Sequence, residues 1–279
     1  MKLAPGCYKC LRRLVHQAAE LATDDVSLKQ KAIRDAMKIL DDEFPSSRLS
    51  LGIAARIHKI VREVTHNHDP YRTMKEREMT LARELCLQLD YQDRDDLQAR
   101  LQLAAAANAL DFFKDLSSIR DDIRKPVSFV VDDSERLKEK LRGASEVLYL
   151  ADNAGELYFD LPLVKWMKQS AQVVYVVKPS PVQNDLTLED VGRSGLEAEF
   201  GRVMSTGVAS PGVVFTLASA QFKREFESAD LIFAKGMGHY EALSELFPEG
   251  RFFYCLKAKC QPVANSLGVP IDSYVAMLQ

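Results

Sequence analysis

No stretch of 18 apolar residues occurs in this chain of 279 residues, so no segment has the length of a membrane-spanning helix. An excess of one charge is also missing. The 37 Lys and Arg against 40 Asp and Glu leave a formal net charge of −3, without the basic footprint that nucleic-acid binding needs. Cysteine is sparse and odd in number: Cys7, Cys10, Cys86, Cys255 and Cys260 are not the dense, even set of a secreted disulfide scaffold. The opening residues Met1 to Cys7 lack the apolar core of a signal peptide, and a cytoplasmic location is expected. No internal repeat recurs, which excludes a solenoid. The Gly-rich stretch Lys235–Glu241 lacks the Lys-Ser/Thr of a Walker A loop, and no G-x-G-x-x-G turn comes after Val147–Leu150. The rest is ordinary globular composition, 47% hydrophobic and 28% charged, in a chain long enough for one large domain or two small ones.

Residues 1–142 read as helical. Apolar residues recur at three- and four-residue spacing over Leu11–Leu21, Leu28–Leu40, Leu51–Val64, Lys75–Leu87 and Leu97–Phe113. Breaks fall at Thr23-Asp24-Asp25, Phe44-Pro45-Ser46-Ser47 and His66-Asn67-His68-Asp69-Pro70. From residue 143 the texture changes. Apolar runs at Val147–Leu150, Val173–Val177, Arg202–Met204, Leu231–Ala234 and Phe252–Leu256 alternate with helical stretches at Glu156–Gln169, Leu188–Ser194, Gly212–Phe226 and His239–Phe247. That alternation predicts βαβ crossovers and a mainly parallel, five-stranded, Rossmann-like α/β region over 143–279, preceded by the helical region.

In a parallel sheet every strand-to-helix turn lies on one edge, where the ligand crevice opens. The first turn carries Asp152 and Asn153, the second Ser180–Asp185, the third Ser205 and Thr206, the fourth Lys235–Glu241 and the last Lys257–Cys260. Oxygen donors such as Asp152 and Asn153 suit Mg²⁺ or Mn²⁺; a helix cap and a turn are the alternative roles for this pair. Cations disfavour helix N-termini, so lysines directly after Leu231–Ala234 and Phe252–Leu256 are expected to meet an anion, and phosphate is the natural one. Together these residues point to metal-assisted phosphoryl hydrolysis. An aspartyl-phosphate route with Asp152 as nucleophile ranks lower. Two other classes stay open: an S-adenosylmethionine-dependent methyltransferase and a non-catalytic phosphometabolite-binding protein.

The chain resembles the damage-control phosphatases, the domain-of-unknown-function 89 proteins, in their prokaryotic-type subgroup with an N-terminal C-x-x-C. The marks are Cys7-Tyr8-Lys9-Cys10, Asp69-Pro70-Tyr71 with Arg72-Thr73-Met74-Lys75, Asn108-Ala109-Leu110-Asp111, Asp152–Glu156, Ser180–Asp185 with Thr187 and Asp190, Lys235–Glu241 and Lys257–Cys260. The resemblance implies an α/β/α sandwich, with Asp152, Asn153 and Asp185 holding Mn²⁺, Ni²⁺, Co²⁺ or Mg²⁺, and Lys235 on the substrate phosphate. It also implies hydrolysis of small phosphorylated metabolites such as sugar phosphates. This chain has His239 where the family usually has Asn, which could add a group titrating near neutral pH, and Ala107 where Gly is usual.

Other candidates for substrate contact are Arg72 and Lys75, one helical turn apart, then Asn108 and Asp111, Ser205, Thr206, His239 and Glu241, the last also a candidate to orient Lys235. A surface pair accounts equally well for Arg72 and Lys75, and a first-turn helix acid for Glu241. Asp190 reads as the solvated or capping acid of its helix. Cys7 and Cys10 have the spacing of half a zinc site, with His66 and His68 as conceivable partners; a reduced pair at a helix start is the plainer reading.

Overall fold

The computed structural model describes residues 1–47, 49–88, 96–109, 116–246 and 250–279. Five helices come first: α1 (Gly6–Ala22), α2 (Val26–Glu43), α3 (Ser50–Thr65), α4 (Arg72–Gln88) and α5 (Leu97–Ala107). Asp25 and Asp96 cap α2 and α5 by accepting the amides of Leu28 and Ala99, which satisfies donors a helix start leaves open. Next come α6 (Leu116–Ile123), β1 (Phe129–Asp132), α7 (Ser134–Gly143), β2 (Glu146–Leu150), α8 (Leu157–Met167) and β3 (Gln172–Val177). The chain continues through α9 (Leu188–Ser194), α10 (Glu197–Phe200), β4 (Arg202–Ser205), α11 (Ala220–Ser228) and β5 (Leu231–Lys235). It ends with α12 (Gly236–Leu243), β6 (Phe252–Lys257), α13 (Gln261–Leu267) and β7 (Tyr274–Leu278).

The sheet has seven strands in the order β1-β7-β6-β5-β2-β3-β4. Neighbours are parallel except β6 and β7. The five strands read from the sequence are all present. The two it missed, β1 and β7, pair with each other in parallel, so the sheet draws one strand from upstream of residue 143. Three helix readings are corrected. The stretch Gly212–Phe226 becomes α-helical only at Ala220, after a bend at Pro211 and Gly212 and a single 3-10 turn at Phe215–Leu217. The α5 helix closes at Ala107 with a turn at Asn108 and Ala109, and the remainder of the Leu97–Phe113 reading lies outside the described residues. Helix α12 starts earlier, at Gly236, and the expected end at Phe247 lies outside the described residues.

Period-two alternation splits the sheet strands between two apolar layers. Val147, Tyr149, Tyr175 and Phe233 face a core that includes Leu101, Ala104 and Ala105 of α5 and Leu157 and Leu163 of α8. Leu148, Leu150, Val174 and Ile232 face Phe222 and Phe226 of α11, Leu243 of α12 and Val263 of α13. Helices α1, α2 and α3 close a separate cluster around Val15, Ala36 and Ile57. Strand burial on both faces explains the unbroken apolar runs, since a covered parallel sheet has no solvent side. The chain goes from β2 outward through β3 and β4, then returns to β5 on the other side of β2. The strand order therefore reverses at β2, and the crevice expected at such a switch point lies beyond the carboxyl ends of β2, β3 and β5.

Candidate active site

The turns after β2 and β3 are joined to each other. Ala154 N donates to Asn184 O (2.8 Å) and Leu186 N to Asp152 O (2.9 Å), which makes Asn153 and Asp185 an antiparallel bridge pair. Asp152, Asn153 and Asp185 are thereby set side by side, and all three line a cavity of about 620 Å³. Among the described residues no three His, Cys, Asp or Glu side chains are grouped to hold a metal ion; the candidate donors are two carboxylates and an amide.

Their surroundings fit a divalent ion. Asp185 Oδ2 is buried without a hydrogen bond, its nearest ionic neighbour being the Lys178 ammonium at 3.6 Å. Burial lifts the Asp185 carboxyl to about 6 against the pull of Lys178. Asp152 is pushed well above the usual carboxylate range, first by burial and then by the charges of Glu156 and Asp185, with Lys259 and Lys235 opposing. Crowded, desolvated carboxylates with an open acceptor form a site that a cation would relieve. The Asn153 amide nitrogen donates to Glu156 Oε1 (2.6 Å) and Asp152 Oδ2 (3.3 Å). Asn108, at the end of α5, donates to Asp152 Oδ2 (3.1 Å) and Glu156 Oε1 (3.0 Å), while its oxygen accepts from Lys257 N (3.0 Å). Asn108 thus faces the site. Asp111, its expected companion, lies outside the described residues.

Lys235 is placed differently from expectation. It is 0% exposed, and its ammonium donates to Ala104 O (2.8 Å), Glu156 Oε2 (2.7 Å) and Asp160 Oδ1 (2.7 Å). All three N–H bonds are committed inside the protein, so no donor remains for a substrate phosphate. Burial opposes its charge, but Asp160 and Glu156 outweigh burial and hold its pKa above the ordinary lysine range. Directly after it, Gly236 adopts φ 77°, and a Cβ there would overlap the Asp152 carboxylate. Glycine is required where β5 turns into α12 because the backbone touches the candidate donor.

Several other expected contacts are not at the cavity. Lys75 is buried and bonded to Asp69 (2.8 Å) and Asp190 (2.9 Å), and Asp190 also closes a capping box with Thr187. Arg72 is exposed and pairs with Glu76 at 3.1 Å, so the two basic residues do not share an anion. The Thr206 hydroxyl donates to Val208 O within its own turn, and neither it nor Ser205 lines the cavity. His239 Nδ1 is bonded to Lys235 O (2.7 Å); burial and then Lys178 lower its pKa to about 3, so it is neutral near neutral pH. Glu241 does line the cavity, but its carboxylate accepts from Ser50 (2.6 Å) and does not orient Lys235.

The reading of the sequence missed Asp160 and Lys178, and it named Lys259 only as part of the turn Lys257–Cys260. Lys178 stands directly after β3, so the reasoning applied to lysines after strands would have found it; its ammonium donates to Gly212 O. Lys259 lines the cavity and acts electrostatically on Asp152. Cys7 and Cys10 line the same cavity together with Cys260, while His66 and His68 do not.

Residues 3–275 match the family model described as damage-control phosphatase ARMT1-like domain. The chain is 33% identical over 283 residues to damage-control phosphatase PH1575 of Pyrococcus horikoshii, covering 99% of this chain and 98% of that protein. It is 32% identical over 289 residues to a damage-control phosphatase of Archaeoglobus fulgidus, covering 99% of each. The crystal structure of the DUF89 family protein from Pyrococcus horikoshii superposes with a TM-score of 0.90 at 32% identity, covering 100% of this chain and 99% of that one. Matches of this extent carry both the fold and the lineage: the chain belongs to the damage-control phosphatase family with the ARMT1-like domain.

Proposed function

We propose that this protein is a metal-dependent phosphomonoester hydrolase acting on small phosphorylated metabolites, with Asp152, Asn153 and Asp185 as ligands of one divalent ion, Mn²⁺, Ni²⁺, Co²⁺ or Mg²⁺. The observation that carries this reading is the backbone bridge between the turns after β2 and β3, which brings three oxygen donors to one cavity. Such an ion, when bound, supplies a polarised phosphoryl oxygen and an activated water. The protein groups do the rest. Asn108 and Asn153 hold the Asp152 carboxylate through their amide nitrogens, and Glu156 anchors both amides. The Lys235 ammonium is paired with Glu156 and Asp160 beneath the site. Lys259, which lines the cavity and acts electrostatically on Asp152, would contact the substrate phosphate.

The N-terminal Cys7-x-x-Cys10 supports placement in the prokaryotic-type subgroup, and five free thiols suit a cytoplasmic enzyme. No helix among the described residues is long and apolar enough to cross a membrane. The helical part, 1–142, would supply one wall of the cavity and residues 143–279 the metal ligands.

The test is hydrolysis of p-nitrophenyl phosphate and of a sugar-phosphate panel by chelator-treated protein, with each ion added back. Turnover is expected only with added ion and is expected to disappear in Asp152→Ala and Asp185→Ala that retain the native circular dichroism. Full turnover in either variant would remove the assignment, and Lys259→Ala should raise KM more than it lowers kcat.

A further inference from the structure

Three residues other than glycine have a positive φ among the described residues: His66 (55°), Gln183 (47°) and Asp272 (65°). Histidine and aspartate are among the types that tolerate the left-handed region, and His66 there closes α3. Glutamine is not one of those types. Gln183 is the first central residue of a tight turn in which Asp185 N donates to Val182 O (3.1 Å). Asn184, the other central residue, is not among those of positive φ. A turn with φ above zero only at its first central position ordinarily has glycine there, because a Cβ is strained. A long side chain thus stands where glycine would carry no penalty.

The turn is held on three sides. Arg62 of α3 donates to Pro181 O (2.8 Å), Asn184 Nδ2 donates to Glu78 Oε2 of α4 (3.0 Å), and Asn184 O accepts from Ala154 N (2.8 Å). The Gln183 side chain, by contrast, has no hydrogen bond or ion pair among the described residues. It is half-buried and lines the cavity together with Asp152, Asn153 and Asp185. An amide is therefore kept on the wall of the candidate active site at a conformational cost, with no protein group to satisfy. Strain of this kind gathers at ligand-binding sites. The amide is uncharged, so it adds little to what a cation and Lys259 offer a phosphate. It carries two N–H donors and a carbonyl acceptor, the complement of a hydroxyl group.

We propose that Gln183 is a specificity-determining residue that hydrogen-bonds a hydroxyl group on the alcohol part of the substrate ester. This rests on the phosphatase reading and deepens it by assigning recognition of the alcohol to one side chain.

The experiment compares matched esters: glycerol phosphate against propyl phosphate, and pentitol phosphates against pentyl phosphate. Two quantities are measured on the full chain with Mn²⁺: kcat/KM for each ester, and calorimetric affinity for the corresponding non-hydrolysable phosphonates. The hydroxylated member of at least one pair is expected to exceed its plain counterpart by roughly ten-fold in both, the size expected of one hydrogen bond. The ratio is the readout, because any disturbance of Asp185 lowers both members of a pair alike. Gln183→Gly relieves the backbone and should melt no lower than wild type. Gln183→Met keeps the length and the strain but has no amide. Both variants should bring the ratio close to one. No preference in the wild type, or a preference that survives in either variant, overturns the proposal. A lower melting temperature with an unchanged ratio would assign the side chain to the fold instead. Hydrolysis of p-nitrophenyl phosphate without any preference would leave the phosphatase reading standing and remove the role of Gln183. Preferential binding of hydroxylated phosphonates by a protein that hydrolyses nothing would do the reverse.

Discussion

The Lys235 ammonium lies 2.7 Å from the Glu156 carboxylate, and both side chains are fully buried. Glu156 in turn receives the amides of Asn108 and Asn153. The lysine therefore acts on the candidate ligands from below, through one carboxylate and two amides. Removing it strands Glu156 and Asp160 as buried charges, so Lys235→Met is expected to cost about 3–5 kcal/mol of stability. Adding Glu156→Gln to Lys235→Met should recover part of that loss. Urea denaturation of the single and double variants checks both statements. A Lys235→Met protein of unchanged stability with only a raised KM would instead place the lysine on the substrate.

The raised carboxyl of Asp152 has a consequence for metal-free protein. A carboxyl whose folded pKa lies above its unfolded value contributes stability at pH below the unfolded value and loses it as pH rises through the folded one. Asp152→Asn removes that loss. The variant, stripped of metal, is expected to melt higher than wild type at pH 7–8, with the gap closing as pH is lowered. Mn²⁺ should raise the melting temperature of wild type, as any ligand of the native state does, and leave the variant unmoved. Thermal scans with and without chelator, at several pH values, read both effects.

Two glycines with similar backbones should behave differently. Gly195 (φ 71°) has open space where a Cβ would stand, whereas at Gly236 (φ 77°) the Cβ would overlap Asp152. Gly195→Ala should cost about 1–2 kcal/mol, the left-handed backbone penalty alone. Gly236→Ala adds displacement of a candidate ligand, and a shift of about 1 Å there is worth roughly 100-fold in rate. Comparing kcat of the two variants with their unfolding free energies separates strain from loss of the site.

His58, which is not among the residues lining the cavity, gives a pH signature of its own. It is buried against Tyr71, its Nε2 has no hydrogen bond, and burial lowers its pKa to about 3. Its folded pKa lies below the unfolded one, so the unfolded chain binds the extra proton and stability falls as pH drops from about 6.5 toward 3. The slope for one such group is at most about 1.4 kcal/mol per pH unit. The free-energy difference between wild type and His58→Gln, tracked by urea denaturation from pH 7 to pH 5, should shrink along that slope.

The strands β2, β3, β5 and β6 were legible because both faces of a covered parallel strand are apolar, so each appears as an unbroken run. Strand β1 was not. Its four residues alternate half-buried and exposed at the sheet edge, which leaves a weak signal beside a helical pattern. Strand β7 escaped for a similar reason, with only Val275 and Ala276 fully buried. The candidate donors Asp152, Asn153 and Asp185 could be proposed from the polar residues at the carboxyl ends of the strands, and the bridge between their turns brings them together. The same rule misled for Lys235. A buried cation after a strand does demand an anion, but sequence does not reveal whether that anion comes from a ligand or from the protein. Here it comes from Glu156 and Asp160, four residues apart, and Asp160 is hidden within the apolar run Leu157–Val164. Charge alone likewise could not show that Lys75 is spent on Asp69 and Asp190.

The pairing of Asn153 with Asp185 puts side chains from two separate crossovers on a common rigid strip of main chain. Loops that wander independently must be frozen each time a cation arrives, and that loss of freedom is subtracted from affinity. In this fold it is met during folding, when the sheet forms. The enzyme should therefore take up its ion quickly and without rearrangement, and a substitution that loosens the strip, such as Asn184→Gly, should weaken metal capture although it alters no donor atom.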